Sequence, residues 1–156
     1  MNVMIETPRG RRNKLKYEPG KKCFTLHKVL PAGSTFPYDF GFVPNTRADD
    51  GDPVDVLVLM DESVDHGTLV PARPIGVIRA EEEEDGRVVR NDRILAVAVG
   101  AHDYRDVKDI GDVGDVFLKE VERFFVSYHQ TQGVVFRCKG VGSAKEAIEL
   151  IRDSLE

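Results

Sequence analysis

The chain has 156 residues, 41% of them apolar and 31% charged, with a formal net charge of −5, the profile of one globular domain, residues 1–156, with room for a sizeable core. No apolar run approaches the ~20 residues that cross a bilayer, and the opening Met1-Asn2-Val3-Met4-Ile5-Glu6 lacks the charged-then-apolar plan of a secretory signal. Cys23 and Cys138 match no zinc or redox spacing, so the expectation is a cytoplasmic protein with reduced thiols and no membrane partner.

Strand-like segments fill the first two thirds of the chain: Val3 to Thr7, Asn13 to Tyr17, Cys23 to Leu26, Val54 to Met60, Pro74 to Ala80, Arg87 to Val89 and Ile94 to Val99. Proline and glycine punctuate them at Pro8-Arg9-Gly10, Pro19-Gly20, Pro31-Ala32-Gly33 and Asp85-Gly86. Residues 113 to 129 then place Val113, Val116, Phe117, Val121, Phe124, Phe125 and Tyr128 at helical spacing, with Asp112 as the expected N-cap. A last strand, Val134 to Lys139, precedes a second helix. Ser143-Ala144-Lys145-Glu146 opens it as a capping box, and Ala147, Ile148, Ile151 and Leu155 form its apolar stripe. The class is α+β, a β-barrel-like core with helices packed outside.

Charge is unevenly spread. Arg9, Arg11, Arg12, Lys14, Lys16, Lys21, Lys22 and Lys28 face only Glu18 between residues 9 and 28, whereas Asp49, Asp50, Asp52, Asp55, Asp61, Glu62 and Asp65 meet no base between 48 and 65. A basic arm alone suggests nucleic acid. Paired with an acidic cluster in one small domain, it suits a metal–polyphosphate, and no nucleic-acid partner is expected.

The acidic cluster is concentrated in Asp49-Asp50-Gly51-Asp52-Pro53-Val54-Asp55. Gly51 permits a tight turn, Pro53 pushes Asp52 into an extended conformation, and Asp50 and Asp52 then share a face, with Asp55 following inside the strand. Carboxylates ~5 Å apart repel by roughly 3 kcal/mol per pair at an effective dielectric near 20, so a cation belongs there. Oxygen donors without His or Cys favour Mg²⁺, Mn²⁺ or Ca²⁺. An EF-hand is a poor fit, because the glycine and glutamate it requires fall on Asp55 and Asp61. Asp92, ahead of the strand from Ile94, is a further candidate ligand. On Lys16-Tyr17-Glu18, Lys16 and Glu18 share a face and Tyr17 points away.

These residues together resemble the soluble family I inorganic pyrophosphatases over most of the chain. Val3-Met4-Ile5-Glu6-Thr7-Pro8 resembles the family's first strand with its site glutamate, Lys16-Tyr17-Glu18 its phosphate-binding Lys-Tyr-Glu, and Phe36-Pro37-Tyr38-Asp39-Phe40-Gly41-Phe42 its Tyr-Pro-x-Asn-Tyr-Gly-Tyr segment. Asp50-Gly51-Asp52-Pro53-Val54-Asp55 is similar to the signature itself, and Phe124-Phe125-Val126-Ser127-Tyr128 falls in order on the long helix. The resemblance implies a five-stranded OB-like barrel with flanking helices, the two main ones near the C-terminus. It implies Mg²⁺-dependent hydrolysis of pyrophosphate to two phosphates, with Mn²⁺ as a further metal, in a homo-oligomer, a hexamer in bacterial members. By matching position, Asp50, Asp55 and Asp92 would hold metal, joined by Glu82 as the best match within residues 81–85. Asp52 would be the general base for the attacking water. Glu6 and Glu18 would support the site, and Lys16 and Tyr128 would hold phosphate oxygens.

Departures fall on the phosphate side. Lys28 stands where the family has arginine, Phe36 and Phe40 replace tyrosines, and His129 replaces a lysine. The family's Asp-x-Lys, set on Asp92-Arg93-Ile94, loses its lysine, with Arg93 on the opposite face. Losing two cations and two hydroxyls is worth about 5–8 kcal/mol if all act only in the transition state, which implies a slowed enzyme. Phe36, Phe40 and Ile94 would also make the pocket more apolar, which suits an organic diphosphate or phosphoester as an alternative substrate. A non-catalytic metal–phosphate-binding homologue is the other alternative.

Overall fold

Val3 and Ile5, two residues apart, are both fully buried, and the same period-2 patterning builds the rest of the sheet. The computed structural model describes residues 1–156. Its strands are β1 (Asn2–Thr7), β2 (Asn13–Glu18), β3 (Cys23–Val29), β4 (Asp39–Phe42), β5 (Asp55–Leu59), β6 (Leu69–Glu84), β7 (Arg87–Arg90), β8 (Arg93–Ala98) and β9 (Val135–Ser143). Helix α1 (Asp115–Gln130) precedes β9, and α2 (Ala144–Asp153) follows it.

Five strands close on themselves: β1 pairs β4, β4 pairs β5, β5 pairs β8, β8 pairs β6, and β6 returns to β1. Only β5–β8 is parallel. Closure removes the open edges that an unclosed sheet would present. The far half of β6 carries β7 and β9 beyond the ring, and β2–β3 is a separate hairpin. The hairpin is tied to β1 through Leu15, whose amide donates to Thr7 Oγ1 at 3.0 Å, and Tyr17, whose amide donates to Glu6 Oε1 at 2.7 Å. This is the expected α+β, OB-like barrel.

Several boundaries differ from the sequence expectation, each for a local reason. β6 runs for 16 residues rather than from Pro74 to Ala80. Its prolines do not interrupt it, because a bulge between Pro74 and Gly76 absorbs one of them. The acidic run Glu81 to Glu84 then continues as strand because neighbouring strands supply cations: Arg137 sits 2.6 Å from Glu83 and Lys139 3.6 Å from Glu81. β4 was not anticipated, being only four residues long and interrupted by Gly41. That glycine is required where β1 and β4 approach, since a Cβ there would collide with the Met4 carbonyl and lie 3.0 Å from Ile5 Cα.

At the helix entrances, Asp112 does not cap α1. Residues Ile110–Val113 form a 3-10 turn, and Gly114, at φ +81°, separates it from α1. The Asp112 carboxylate instead accepts the amides of Lys108 and Asp109 at 2.9 and 3.0 Å. The Ser143 box forms as expected, with Glu146 N donating to Ser143 Oγ and Ser143 N to Glu146 Oε1, both at 3.3 Å. On α2, Ala147 is buried and Leu150 and Ile151 pack on the core, while Ile148 faces outward; Leu155 lies past the end of the helix, exposed and bridged to Thr46.

A single core cluster of 30 buried residues fills the barrel and the seam beneath α1, and each fully buried Leu, Ile or Phe contributes about 1.5–3 kcal/mol. Because the collision at Gly41 is with backbone, Gly41→Ala is expected to destabilise by on the order of 3 kcal/mol. Gly100→Ala, where a Cβ meets nothing, should stay within about 0.5 kcal/mol. Urea unfolding midpoints of the two variants check this, and equal midpoints would disprove it.

Candidate active site

The hairpin β2–β3, the acidic turn, the far half of β6, the start of β8 and the end of α1 surround one open cavity of about 930 Å³. Strand alternation delivers Lys14, Lys16 and Glu18 from β2 to one wall. Glu6 reaches in from β1, Lys28 from β3, and Asp55 from the mouth of β5.

The turn is held by its own side chains. Asp52 N donates to Asp50 Oδ1 at 3.0 Å, Ala48 N donates to Asp52 O at 2.7 Å, and Gly51 takes φ +89°. Asp50 and Asp52 are therefore joined by a turn rather than by an extended stretch, yet both line the cavity with Asp55. Below the turn, Thr46 Oγ1 accepts Val54 N at 3.0 Å and donates to Val43 O at 2.6 Å.

Burial, reinforced by the neighbouring carboxylates, raises the pKa of Asp50. The same is true of Asp55, although Arg93 and Lys14 partly offset the effect there. Burial likewise lifts Glu6 to about 7, against the hydrogen bond from Tyr17 N. No three acidic, His or Cys side chains already converge as a finished metal cage. The donor set nevertheless fits a hard divalent cation, being oxygen only and costly to ionise without one.

Asp52 is half-exposed and meets Lys16 Nζ at 2.9 and 3.1 Å. Desolvation alone would lower the lysine's pKa, but the Asp52 contact and the surrounding acids raise it overall. Glu18 accepts Thr25 Oγ1 at 3.4 Å.

The start of β8 corrects the sequence expectation. Asp92 is not in the cavity: its Oδ1 accepts Ala80 N at 3.0 Å and its Oδ2 lies 2.6 Å from Arg90 Nη2, beside Arg79 and Glu146 in a separate depression. Parallel pairing sets Asp55 opposite Arg93 and Val56 opposite Ile94, so Arg93, not its neighbours, shares the face of Asp55. A one-residue slip moves a whole strand to the other face. The family's Asp-x-Lys therefore falls on Asn91-Asp92-Arg93, with an amide for the carboxylate and a guanidinium for the ammonium. A cation therefore does stand on the face that the sequence pattern leaves without one.

Arg93 is buried, with Nη1 2.9 Å from Asp55 Oδ2 and Nη2 2.9 Å from Glu82 Oε1, and its Nε has no protein partner. The same Glu82 oxygen accepts Asn91 Nδ2 at 3.0 Å and contacts His129 Nε2 at 2.8 Å. Burial disfavours the Glu82 charge, but His129 and Arg93 outweigh it and bring the pKa down to about 2. Glu82 thus lies in the cavity as expected, committed to anchoring cations. His129 gives its other nitrogen to Phe125 O at 2.7 Å, so both of its polar atoms are engaged by protein rather than free for phosphate.

Tyr128 lines the cavity with its hydroxyl buried and unpartnered. Burial raises its pKa, partly offset by Lys28, Arg93 and the nearby Gln132 side chain, which does not reach hydrogen-bonding geometry with the hydroxyl. Lys28 Nζ stands 5.8 Å from the Tyr128 ring centre. Phe36, Phe40 and Ile94 are core residues, none exposed by more than 2%, and none lines the cavity. The more apolar pocket expected from them is therefore absent. Lys14, Asn91 and Arg93 were not anticipated as site residues. Alternation with Lys16 and Glu18 signals Lys14, whereas Asn91 and Arg93 become visible only through the parallel register.

The inorganic pyrophosphatase family model matches residues 3–156. An inorganic pyrophosphatase of Synechocystis sp. is 36% identical over all of this chain and 90% of its own length. The crystal structure of inorganic pyrophosphatase from Thermus thermophilus superposes with a TM-score of 0.91 at 32% identity, covering 99% of this chain and 88% of that one. The structure of an inorganic pyrophosphatase from Coxiella burnetii gives a TM-score of 0.90 at 30% identity, covering 99% of this chain and 92% of that one. With motif order, closed barrel and cavity all in agreement, the chain belongs to the inorganic pyrophosphatase family.

Proposed function

We propose that this protein hydrolyses inorganic pyrophosphate to two phosphates. The observation that carries this reading is one cavity in which Asp50, Asp52 and Asp55 face Lys16, Lys28, Arg93 and the unpartnered Tyr128 hydroxyl. Phosphoryl transfer to water requires mainly positioning and charge neutralisation, and that arrangement supplies both signs.

Family I pyrophosphatases depend on metal. Mg²⁺, with Mn²⁺ as a substitute, is the ion proposed here, held by Asp50 and Asp55 with Glu6 and Glu18 in support. When bound it neutralises phosphate charge and acidifies water. Asp52 takes the proton of the attacking water, and its half-exposed position admits that water. Lys16, Lys28 and Tyr128 grip phosphate oxygens, and Arg93, buried between Asp55 and Glu82, fixes Asp55 and adds positive charge to the same wall. A guanidinium in place of an ammonium keeps the charge and adds a second donor direction, so the phosphate side is less depleted than the sequence alone implies.

The single core supports residues 1–156 acting as one domain. Outward-facing Val116, Ile148 and Leu155 are compatible with a homo-oligomer, a hexamer on the family resemblance. No helix is long and apolar enough to cross a membrane, and a cytoplasmic location is proposed.

Glu6 makes the metal-free fold pH-sensitive. With its carboxyl at about 7 rather than 4.5, the folded state holds a proton that the unfolded state has released between these values. Stability from this group is full below about 4.5 and lost as pH rises to about 7, for a total of about 3 kcal/mol.

Phosphate release from pyrophosphate at millimolar Mg²⁺ should vanish with EDTA, and Asp52→Asn should lower kcat by about 10²–10⁴-fold. No release above background, or an Asn variant as fast as wild type, would refute the reading. Asp50→Asn should weaken Mg²⁺ binding measured by calorimetry, while Asp92→Asn should leave it within about threefold of wild type. In EDTA, urea titrations between pH 4.5 and 8 should show Glu6→Gln flattening the stability profile and exceeding wild type at pH 8. Parallel profiles would exclude the proposed Glu6 titration.

A further inference from the structure

Lys14 lies within the cavity but had no place in the expected site, and three features set it apart. First, Lys14 and Lys28 are direct cross-strand partners in the β2–β3 hairpin, where like charges repel. Second, their ammonium groups stand 5.7 and 5.8 Å from the centre of one ring, that of Tyr128, whose buried hydroxyl has no partner. Third, Lys14 makes no ion pair or hydrogen bond with a protein acceptor, although its side chain is drawn from water against the Phe40 ring, 5.2 Å from Nζ. Aromatic faces soften the cost of holding an ammonium there, but they do not complete its hydrogen bonds. Two ammonium groups beside one ring, whose hydroxyl has no hydrogen-bond partner, put three donors at the same end of the cavity, the chemistry that suits an anion.

The geometry points to Lys14 as a phosphate ligand of this chain, closing with Lys28 and Tyr128 on one phosphoryl group of the substrate and on the phosphate product. Lys14 thereby supplies a cation above Phe40, where the family's tyrosine hydroxyl is lost. The inference rests on the pyrophosphatase reading for the substrate's identity, but its test does not require turnover.

Inorganic phosphate is the probe. Calorimetry on the Mg²⁺-loaded protein should show Lys14→Met weakening phosphate binding about 10- to 100-fold, the worth of one charge-assisted hydrogen bond. Lys14→Arg should stay within about tenfold of wild type. Lys21→Met, which removes an exposed charge from the tip of the same hairpin, should bind like wild type. The ligand-free melting temperature of Lys14→Met should equal or exceed that of wild type, because an unpaired desolvated charge has been removed. Unchanged phosphate affinity in Lys14→Met, or a loss equalled by Lys21→Met, overturns the assignment. A lowered ligand-free melting temperature also counts against it and marks a structural lysine. Wild-type pyrophosphate turnover, measured alongside, judges the catalytic reading separately.

Discussion

A buried guanidinium organises the floor of the cavity. Arg93 is clasped by Asp55 from β5 and Glu82 from β6, and its guanidinium lies 5.3 and 5.8 Å from the ring centres of Phe125 and Phe136. Three strands and α1 thus meet at one side chain, and Glu82 passes the tie on to Asn91 and His129. Burying such charges is costly, and the arrangement holds because every charged partner is matched. Without Arg93, Asp55 and Glu82 would be two acids in low dielectric, and the metal-facing and phosphate-facing halves of the site would lose their common anchor.

That anchor depends on the single parallel pairing in the barrel. Asp55 and Arg93 are register partners across β5 and β8, and this explains where reading from sequence succeeds and where it fails. The acidic turn was legible because its chemistry is local: glycine, proline and four aspartates within seven residues dictate a tight, cation-seeking loop. The β2 wall was legible through alternation. The β8 residues were not, since a run of buried residues on both faces gives no parity signal, and the acid at Asp92 masks the role of its neighbour Asn91. The length of β6 was hidden for a related reason. Prolines and glutamates are both disfavoured in strands, and here the bulge and the opposing Arg137 and Lys139 accommodate them.

The charge inventory changes accordingly. Reading the sequence alone suggests a site with intact carboxylates and thinned cations. In three dimensions the cations are Lys14, Lys16, Lys28 and Arg93, with Arg47 also lining the cavity in a pair with Glu156, while the position of one expected carboxylate is taken by the Asn91 amide. The balance has shifted toward positive charge on the wall that meets phosphate. Phe36 and Phe40 belong to the core instead of lining the pocket, and pack against Phe124 and Phe125 respectively.

The contact between Lys16 and Asp52 has one further implication. Each group is the other's placeholder: the ammonium sits where a cation would approach the carboxylate, and the carboxylate sits where an anion would approach the ammonium. A cation held by Asp50 and Asp55 competes with Lys16 for the neighbouring Asp52 carboxylate, and an anion at Lys16 frees Asp52, so whichever arrives first removes a cost that the second would otherwise bear. Two ligands that compete with the same bond bind with positive cooperativity, and linkage makes the effect equal in both directions. A single exposed ion pair therefore couples the two halves of the cavity without any movement of the backbone.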